Sequence, residues 1–299
     1  MDYAHQARQG VIYALCAYLI WGIAPIYFKQ LHGIGALEIL AHRIIWSSVF
    51  IALLLGVSRG WQQVVNVLAN PKQLLMLTIT ALLIGLNWLT YIWSINHDHL
   101  LDASLGYFIN PLVNVVMGML FLGERFRRMQ WLAVALASIG VLIAVVQYGA
   151  LPWIAVVLAL TFSFYGLLRK QLKLAALSGL FIETTLLLPI ALIYLFWIDP
   201  SSTSHLSNNS GTLDLLLVSA GIVTTVPLLF FAGAATRLRL STLGFFQYIG
   251  PSLMFILATA IYGEPLTQAK LITFGFIWSA LVIFSLDALD QRRRLSVTP

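Results

Sequence analysis

Apolar residues in this chain gather into blocks, each about as long as the 20 or so residues that a helix needs to cross a bilayer. The blocks fall at 10–28, 36–57, 73–95, 101–122, 129–147, 152–169, 178–198, 213–235, 242–262 and 268–287. Charged and turn-forming residues collect in the gaps between them. The gaps are short except for 199–211, DPSSTSHLSNNSG, which is too polar to enter lipid and is rich in turn formers. The pattern predicts an all-α polytopic membrane protein with ten transmembrane helices.

The ten blocks repeat. Ser104 to Glu124 reads SLGYFINPLVNVVMGMLFLGE, and Thr242 to Glu264 reads TLGFFQYIGPSLMFILATAIYGE. Both carry Leu-Gly near the start and a central Pro. In each, a Gly-Glu pair begins twelve residues after that Pro, 111 to 123 and 251 to 263. Weaker echoes extend the match: Trp88 to Gly106 over Val226 to Gly244, Trp21-Gly22 over Tyr165-Gly166, and Glu38 over Glu183. Apolar helices resemble one another by chance, but chance does not readily conserve the spacing from Pro to Gly-Glu. A unit of five helices is odd-numbered, so its second copy enters the membrane upside down. The expectation is two inverted five-helix repeats, 1–147 and 148–291, followed by a basic cytoplasmic tail, 292–299. Helices interrupted by Pro at matching places in two such halves point to the binding site of a secondary transporter.

Composition supports lipid as the solvent. Hydrophobic residues make up 60% of the chain and charged residues 9%, against about a quarter charged in soluble proteins. The net charge of +6 raises the question of nucleic acid, but the distribution of the cations answers it. With the N-terminus placed in the cytoplasm, fourteen of the seventeen Lys and Arg residues fall on that side; Lys29, Arg43 and Lys270 are the exceptions. The positive-inside rule then puts both termini in the cytoplasm, and no nucleic acid partner is expected. Asp2 and Arg8 precede an apolar block with no small-residue cleavage site after it, so the first block is expected to be retained. Cys16 is the single cysteine and cannot form an internal disulfide.

An ionisable side chain at a helix centre costs about 2.5–3.5 kcal/mol to insert, so each one needs a reason. The second block holds Glu38, His42 and Arg43. Glu38 and His42 are four residues apart and share a face, which suits a shared proton or a cationic ligand. Arg43 points about 140° away from Glu38 and suits an anionic group. The alternative is packing, with Glu38 near the extracellular interface and Arg43 paired to a neighbouring helix. Glu183 is a similar candidate for proton coupling. The third block carries Asn87, Tyr91, Ser94 and Asp98 on one face; the fourth carries Tyr107, Asn110, Asn114 and Gly118; the ninth carries Gln247, Tyr248 and Gly250-Pro251. Taken singly, such residues are more often glue between helices. Taken together, three polar stripes on one seam favour a cavity. Trp21 and Trp88 are candidates for its lining, whereas Trp61, Trp131, Trp153 and Trp197 read as interfacial anchors.

Two other clusters invite chemistry. His97-Asp98-His99 with Asp102 has metal-binding residue types, but it lies at the end of a helix hairpin where charged loop residues are ordinary. No metal site and no cofactor are expected. Gly123-Glu124 and Gly263-Glu264 read as helix ends, with Glu124 reaching Arg127 or Arg128. No nucleotide-binding loop or nucleophile elbow is present, so neither an ATP-driven pump nor an enzyme is expected.

The stretches AYLIWGIAPIYFKQL (17–31), ALEILAHRIIWS (36–47), LNWLTYIWSINHDH (86–99), ASLGYFINPLVNVVMG (103–118), FLGER (121–125), YGLLRK (165–170), STLGFFQYIGPSLMF (241–255) and FIWSALVIFSLDAL (276–289) resemble the EamA family of the drug/metabolite transporter superfamily, and within it the RarD type. The resemblance implies ten helices as inverted repeats in the bacterial inner membrane, and export of small metabolites or drugs. It supplies no binding residues. Those rest on the reading above: Trp21, Glu38, His42, Arg43, Asn87, Tyr91, Tyr107, Asn110 and Gln247 for a small-molecule substrate. Glu38, His42 and Glu183 are the candidates for protons, and Pro111, Gly244 and Pro251 for helix breaks that permit gating. A channel, or a partner-binding subunit without its own carrier cycle, is the alternative; saturable exchange separates it from a carrier.

Overall fold

The computed structural model describes residues 3–31, 33–96, 100–149, 153–198, 209–261 and 268–297, and among them every regular element is helical. In chain order these are α1 (Tyr3–Phe28), α2 (Ala36–Ser58), α3 (Trp61–Leu68), α4 (Pro71–Asn96), α5 (Leu100–Leu122), α6 (Arg128–Tyr148), α7 (Trp153–Leu172), α8 (Ala176–Ile193), α9 (Gly211–Ala235), α10 (Leu240–Gln247), α11 (Ile249–Ile256) and α12 (Gln268–Val297). All ten apolar blocks fall on helices, the ninth being divided between α10 and α11. Short π-helical turns extend α8 to Ile198 and α11 to Ile261.

Among the described residues, eight helical segments are long and apolar enough to cross a membrane, and two further apolar stretches, Gly106–Leu122 and Leu271–Asp287, are shorter. Helix is the natural answer to a hydrocarbon solvent, because each backbone N–H and C=O is satisfied within the segment. The outer surface matches that solvent. Val57, Leu120, Val146, Ile190 and Leu215 are each more than 60% exposed, while Arg43, Asn110, Asn114, Glu183 and Gln247 are buried. A soluble monomer rarely exposes so much contiguous apolar surface. The chain is a multi-pass membrane protein.

The helices pack in a regular set of pairs: α6 on α12, α5 on α7 and α10, α2 on α8 and α9, α1 on α9 and α11, and α4 on α7 and α8. Close approaches are allowed by small residues. A Cβ on Gly221 of α9 would come within 2.6 Å of Trp46 Cβ on α2. One on Gly244 of α10 would lie 3.0 Å from the Pro111 carbonyl oxygen on α5. Gly244 is therefore a packing glycine in this conformation.

Four features differ from the sequence expectation. The first is α3, which follows a reversal at Arg59 (φ 52°) and buries only Val64 and Val67. With eight residues it is too short to register as an apolar block, and Trp61 sits on it, edge-on to Phe181 of α8 at 5.2 Å. The second is α5, which runs unbroken through Pro111. Pro removes the N–H that would return to the Tyr107 carbonyl. Two side-chain bonds tie this turn to its neighbours: the Tyr248 hydroxyl donates to the Phe108 carbonyl at 3.2 Å, and Asn110 Nδ2 donates to the Ala159 carbonyl at 3.0 Å. In the ninth block the matching Pro251 accompanies a one-residue interruption at Tyr248, between α10 and α11, whose backbone stays in the right-handed helical region (φ −61°, ψ −15°).

The third concerns Glu124. Gly123 adopts φ 62°, the left-handed conformation that glycine tolerates, and turns the chain so that Glu124 is buried. Its carboxylate accepts from Leu240 N at 2.7 Å, Ser241 N at 3.1 Å and Ser241 Oγ at 2.5 Å, which caps the N-terminus of α10. The expected partner Arg127 pairs with Asp287 of α12 at 2.5 Å. A helix-end role holds; the helix it serves is α10. The fourth is that α12 continues to Val297, so most of the segment 292–299 extends the last helix.

A second buried charge network joins α4, α7 and α8. Glu183 accepts from Thr80 Oγ1 at 2.6 Å and from the Tyr165 hydroxyl at 3.3 Å, and lies 3.6 Å from Arg169 Nη1. Arg169 in turn donates to the Ala176 carbonyl at 3.3 Å. Gly179 has to lack a side chain because its Cβ would coincide with the guanidinium.

Both networks carry expected outcomes. Glu124→Ala removes three hydrogen bonds and lowers stability by about 2–4 kcal/mol, read as an earlier thermal unfolding of the purified protein in detergent. Glu124→Gln, which keeps an acceptor, loses less. Glu183→Ala leaves Arg169 buried without its carboxylate and costs about 3–5 kcal/mol, whereas the double variant Arg169→Met, Glu183→Leu recovers most of the loss. Wild-type melting of Glu183→Ala would show that the network does not hold these helices.

Candidate functional site

Part of each polar stripe read from the sequence lines one cavity; Ser94, Asn114, Gly118 and Tyr248 do not line it, and Asp98 lies outside the described residues. Tyr18, Trp21, Pro25 and Phe28 recur at spacings of three and four along α1 and present one face to it. Arg43 enters from α2, Asn87, Trp88 and Tyr91 from α4, Tyr107 and Asn110 from α5, and Phe162 from α7. Gln247, Pro251 and Met254 close it from α10 and α11. The enclosed space is about 90 Å³, well below the roughly 300 Å³ of a drug-sized site.

Arg43 is the charged group in the wall. Burial holds it at 7% exposure; Nε donates to Thr224 Oγ1 of α9 at 2.8 Å. Its guanidinium carbon lies 4.9 Å from the Trp88 ring centroid and 5.3 Å from that of Phe28, distances at which ring faces attract a cation. Tyr91 and Tyr107 meet edge to face at 5.7 Å. Trp21 packs edge-on against Phe162 at 5.7 Å.

The amides tie the wall together. Asn87 Nδ2 donates to the Leu158 carbonyl and to Thr161 Oγ1, each at 2.9 Å. Asn114 Nδ2 donates to Asn110 Oδ1 at 3.0 Å and to Gln247 Oε1 at 3.3 Å, forming a ladder from α5 to α10. Asn87, Asn110 and Gln247 are therefore both glue and lining, each bonded to another helix and present in the cavity wall, while Asn114 bridges Asn110 and Gln247 from outside the lining.

Seven of the nine substrate candidates, Trp21, Arg43, Asn87, Tyr91, Tyr107, Asn110 and Gln247, come together here. Glu38 and His42 are buried, at 8% and 3% exposure, but lie outside the lining. Glu183 belongs to the Arg169 network. Of the helix-break candidates, Pro251 lines the cavity and Gly244 and Pro111 pack behind it. Tyr18, Phe28, Phe162 and Met254 were not singled out in the sequence. The spacing of Tyr18, Trp21, Pro25 and Phe28 is the signal that finds the α1 members; Phe162 and Met254 lie in apolar runs that carry no such mark.

A larger cleft of about 690 Å³ lies between α1, α7 and α9, beside Lys170, Lys173 and Arg237. Lys170 Nζ donates to the Ala235 and Leu238 carbonyls, and Arg237 donates to the Gly233 carbonyl at 2.9 Å. These two cations satisfy carbonyls at the end of α9, a common use of basic side chains at a helix C-terminus. Among the described residues no group of three His, Cys, Asp or Glu is placed to hold a metal. His97, Asp98 and His99 lie outside the described residues, as do Gly263 and Glu264, and the Asp102 side chain is likewise not described.

Residues 8–146 match the profile of the EamA-like transporter family. The chain is 58% identical over 291 residues to a protein named RarD from Salmonella typhi, covering 97% of this chain and 99% of that one. It is 59% identical over 283 residues to an uncharacterized transporter of Vibrio cholerae, covering 95% and 94%. A Pseudomonas aeruginosa relative named chloramphenicol-sensitive protein RarD is 32% identical, covering 96% of each chain. A crystal structure of a protein 18% identical superposes with a TM-score of 0.69 over 93% of this chain and shares the fold. The family and the Vibrio cholerae relative are named as transporters, and the chain belongs to the EamA-like transporter family, among its RarD-type members.

Proposed function

We propose that the chain is a secondary transporter that moves a small molecule by alternating access, exporting a metabolite or drug across the bacterial inner membrane, with both termini in the cytoplasm. The observation that carries this reading is the composition of the cavity wall. It draws α1, α2, α4 and α5 from before residue 147 and α7, α10 and α11 from after it. A site at the seam between two units opens to either side when one unit rocks against the other.

In this reading α5 and α12 complete ten spans, arranged as inverted repeats at 1–147 and 148–291. The packing pairs support it. Exchanging each span for the one five later turns α1 on α9 into α7 on α4, α2 on α9 into α8 on α4, and α5 on α7 into α11 on α1; all of these pairs occur. The pairs α2 with α8, α5 with α10 and α6 with α12 map onto themselves. Arg43, Trp21, Asn87, Tyr91, Tyr107, Asn110 and Gln247 contact the substrate. The break at Tyr248, beside Pro251, is the hinge, with Gly244 sliding on the Pro111 turn. Glu38 and His42 carry a coupling proton from outside the cavity wall.

Counterflow into liposomes holding the purified protein tests the carrier cycle, with radiolabelled amino acids, nucleosides, organic acids and chloramphenicol offered in turn. The expected result is saturable exchange of at least one class, accelerated by unlabelled substrate on the far side. Flux that rises linearly with concentration would identify a pore. In the same liposomes a pH gradient is expected to change the rate for wild type and not for Glu38→Gln; equal response in both removes the coupling role.

A further inference from the structure

The charge balance of the cavity narrows what it holds. Among the described residues two arginines are buried, and they are treated differently. Arg169 has Glu183 beside it, 3.6 Å away. Arg43 donates Nε–H to a neutral hydroxyl, and among the described residues no carboxylate lies within ion-pair distance and no acceptor meets its two terminal amino groups. Among the described residues it is also the one ionised group in the cavity wall.

A guanidinium offers five donors in a planar fork that matches two oxygens of a carboxylate or phosphonate. Taking its charge out of water without a counter-charge is costly, and an anion in the cavity relieves that cost. Cations have the reverse balance there, since nothing in the described lining offsets their charge. Around the fork the walls are flat and apolar: Trp88 lies under the guanidinium, with Trp21 and Phe162 packed edge to face further along. Such surfaces take the face or edge of a planar ring.

We propose that the cavity binds a small organic anion, a carboxylate or phosphonate on a planar apolar body, with Arg43 gripping the oxygens and the aromatic wall taking the body. Movement of that anion rests on the carrier reading; its binding does not. A purely packing role for Arg43, stacked on Trp88 and tied to Thr224, gives no preference for ligand charge, so the two roles separate cleanly.

The test uses the full chain in detergent and ligands that share a ring and differ in charge: benzoate, phenylphosphonate and indole-3-acetate as anions, benzamide as neutral, benzylamine as cation. Binding is read from tryptophan fluorescence and from the rise in unfolding temperature. At least one anion is expected to bind wild type about tenfold or more tighter than benzamide, as befits a hydrogen bond to a charged group, with benzylamine weakest. Arg43→Gln is expected to abolish the preference and Arg43→Lys to keep its sign at reduced strength. Thr224→Val, which frees Nε, weakens anion binding without reversing the order. Because the charge series is measured on wild type, a variant that fails to fold leaves the comparison intact. Benzamide or benzylamine binding as tightly as every anion overturns the proposal, as does the lack of any Arg43-dependent anion binding. Counterflow of the same compounds separates the two readings: anions that bind but never exchange defeat the carrier, and exchange of benzylamine or chloramphenicol with no anion defeats the substrate class.

Discussion

Inside a bilayer no water is available to satisfy a polar group, so each one has to find its partner in the protein. That constraint orders this structure. The backbone meets it by being helical, and the side chains meet it by turning inward: Glu124 onto the start of α10, Glu183 onto Thr80 and Tyr165, Asn114 onto Asn110 and Gln247. The apolar residues face outward as a consequence. The interior polar contacts then decide which helices touch, and hence where the cavity forms. At Arg43, as at Trp46 Nε1 and Thr225 Oγ1, the rule is met only in part, and Arg43 stands in the cavity wall.

The cavity and the framework share residues. Asn110 supports the Pro111 turn through the Ala159 carbonyl and also lines the cavity, and Gln247 closes the ladder from α5 one residue before the break at Tyr248. In the proposed carrier cycle the interruption at Tyr248 is where α10 and α11 move relative to each other, with Glu124 holding the start of α10 to the end of α5.

Much of this was legible in the sequence because hydrophobic blocks and polar stripes are one-dimensional patterns. The ten blocks found their helices, and part of each stripe on α4, α5 and the ninth block reached one cavity along with Trp21, Trp88 and Arg43. What stayed hidden depends on the third dimension. The Glu124 partner lies more than a hundred residues away, where local spacing pointed to Arg127. Pro111 and Pro251 look equivalent in the sequence, yet α5 runs on through the first while the helix around the second is interrupted at Tyr248. Glu38 and Arg43 share one helix, but its rotation sends only Arg43 into the cavity wall. The short α3 escaped because a surface helix of eight residues has no spanning signature.

The central claim is that one cavity faces the two sides of the membrane in turn. The most direct measurement places a single cysteine in it, Met254→Cys with Cys16→Ser, and adds a membrane-impermeant thiol reagent to one side of sealed vesicles of either orientation. The account predicts labelling from each side, slowed by a bound ligand, in vesicles that the reagent does not cross. Labelling from one side alone, at any time and with any ligand, would contradict it.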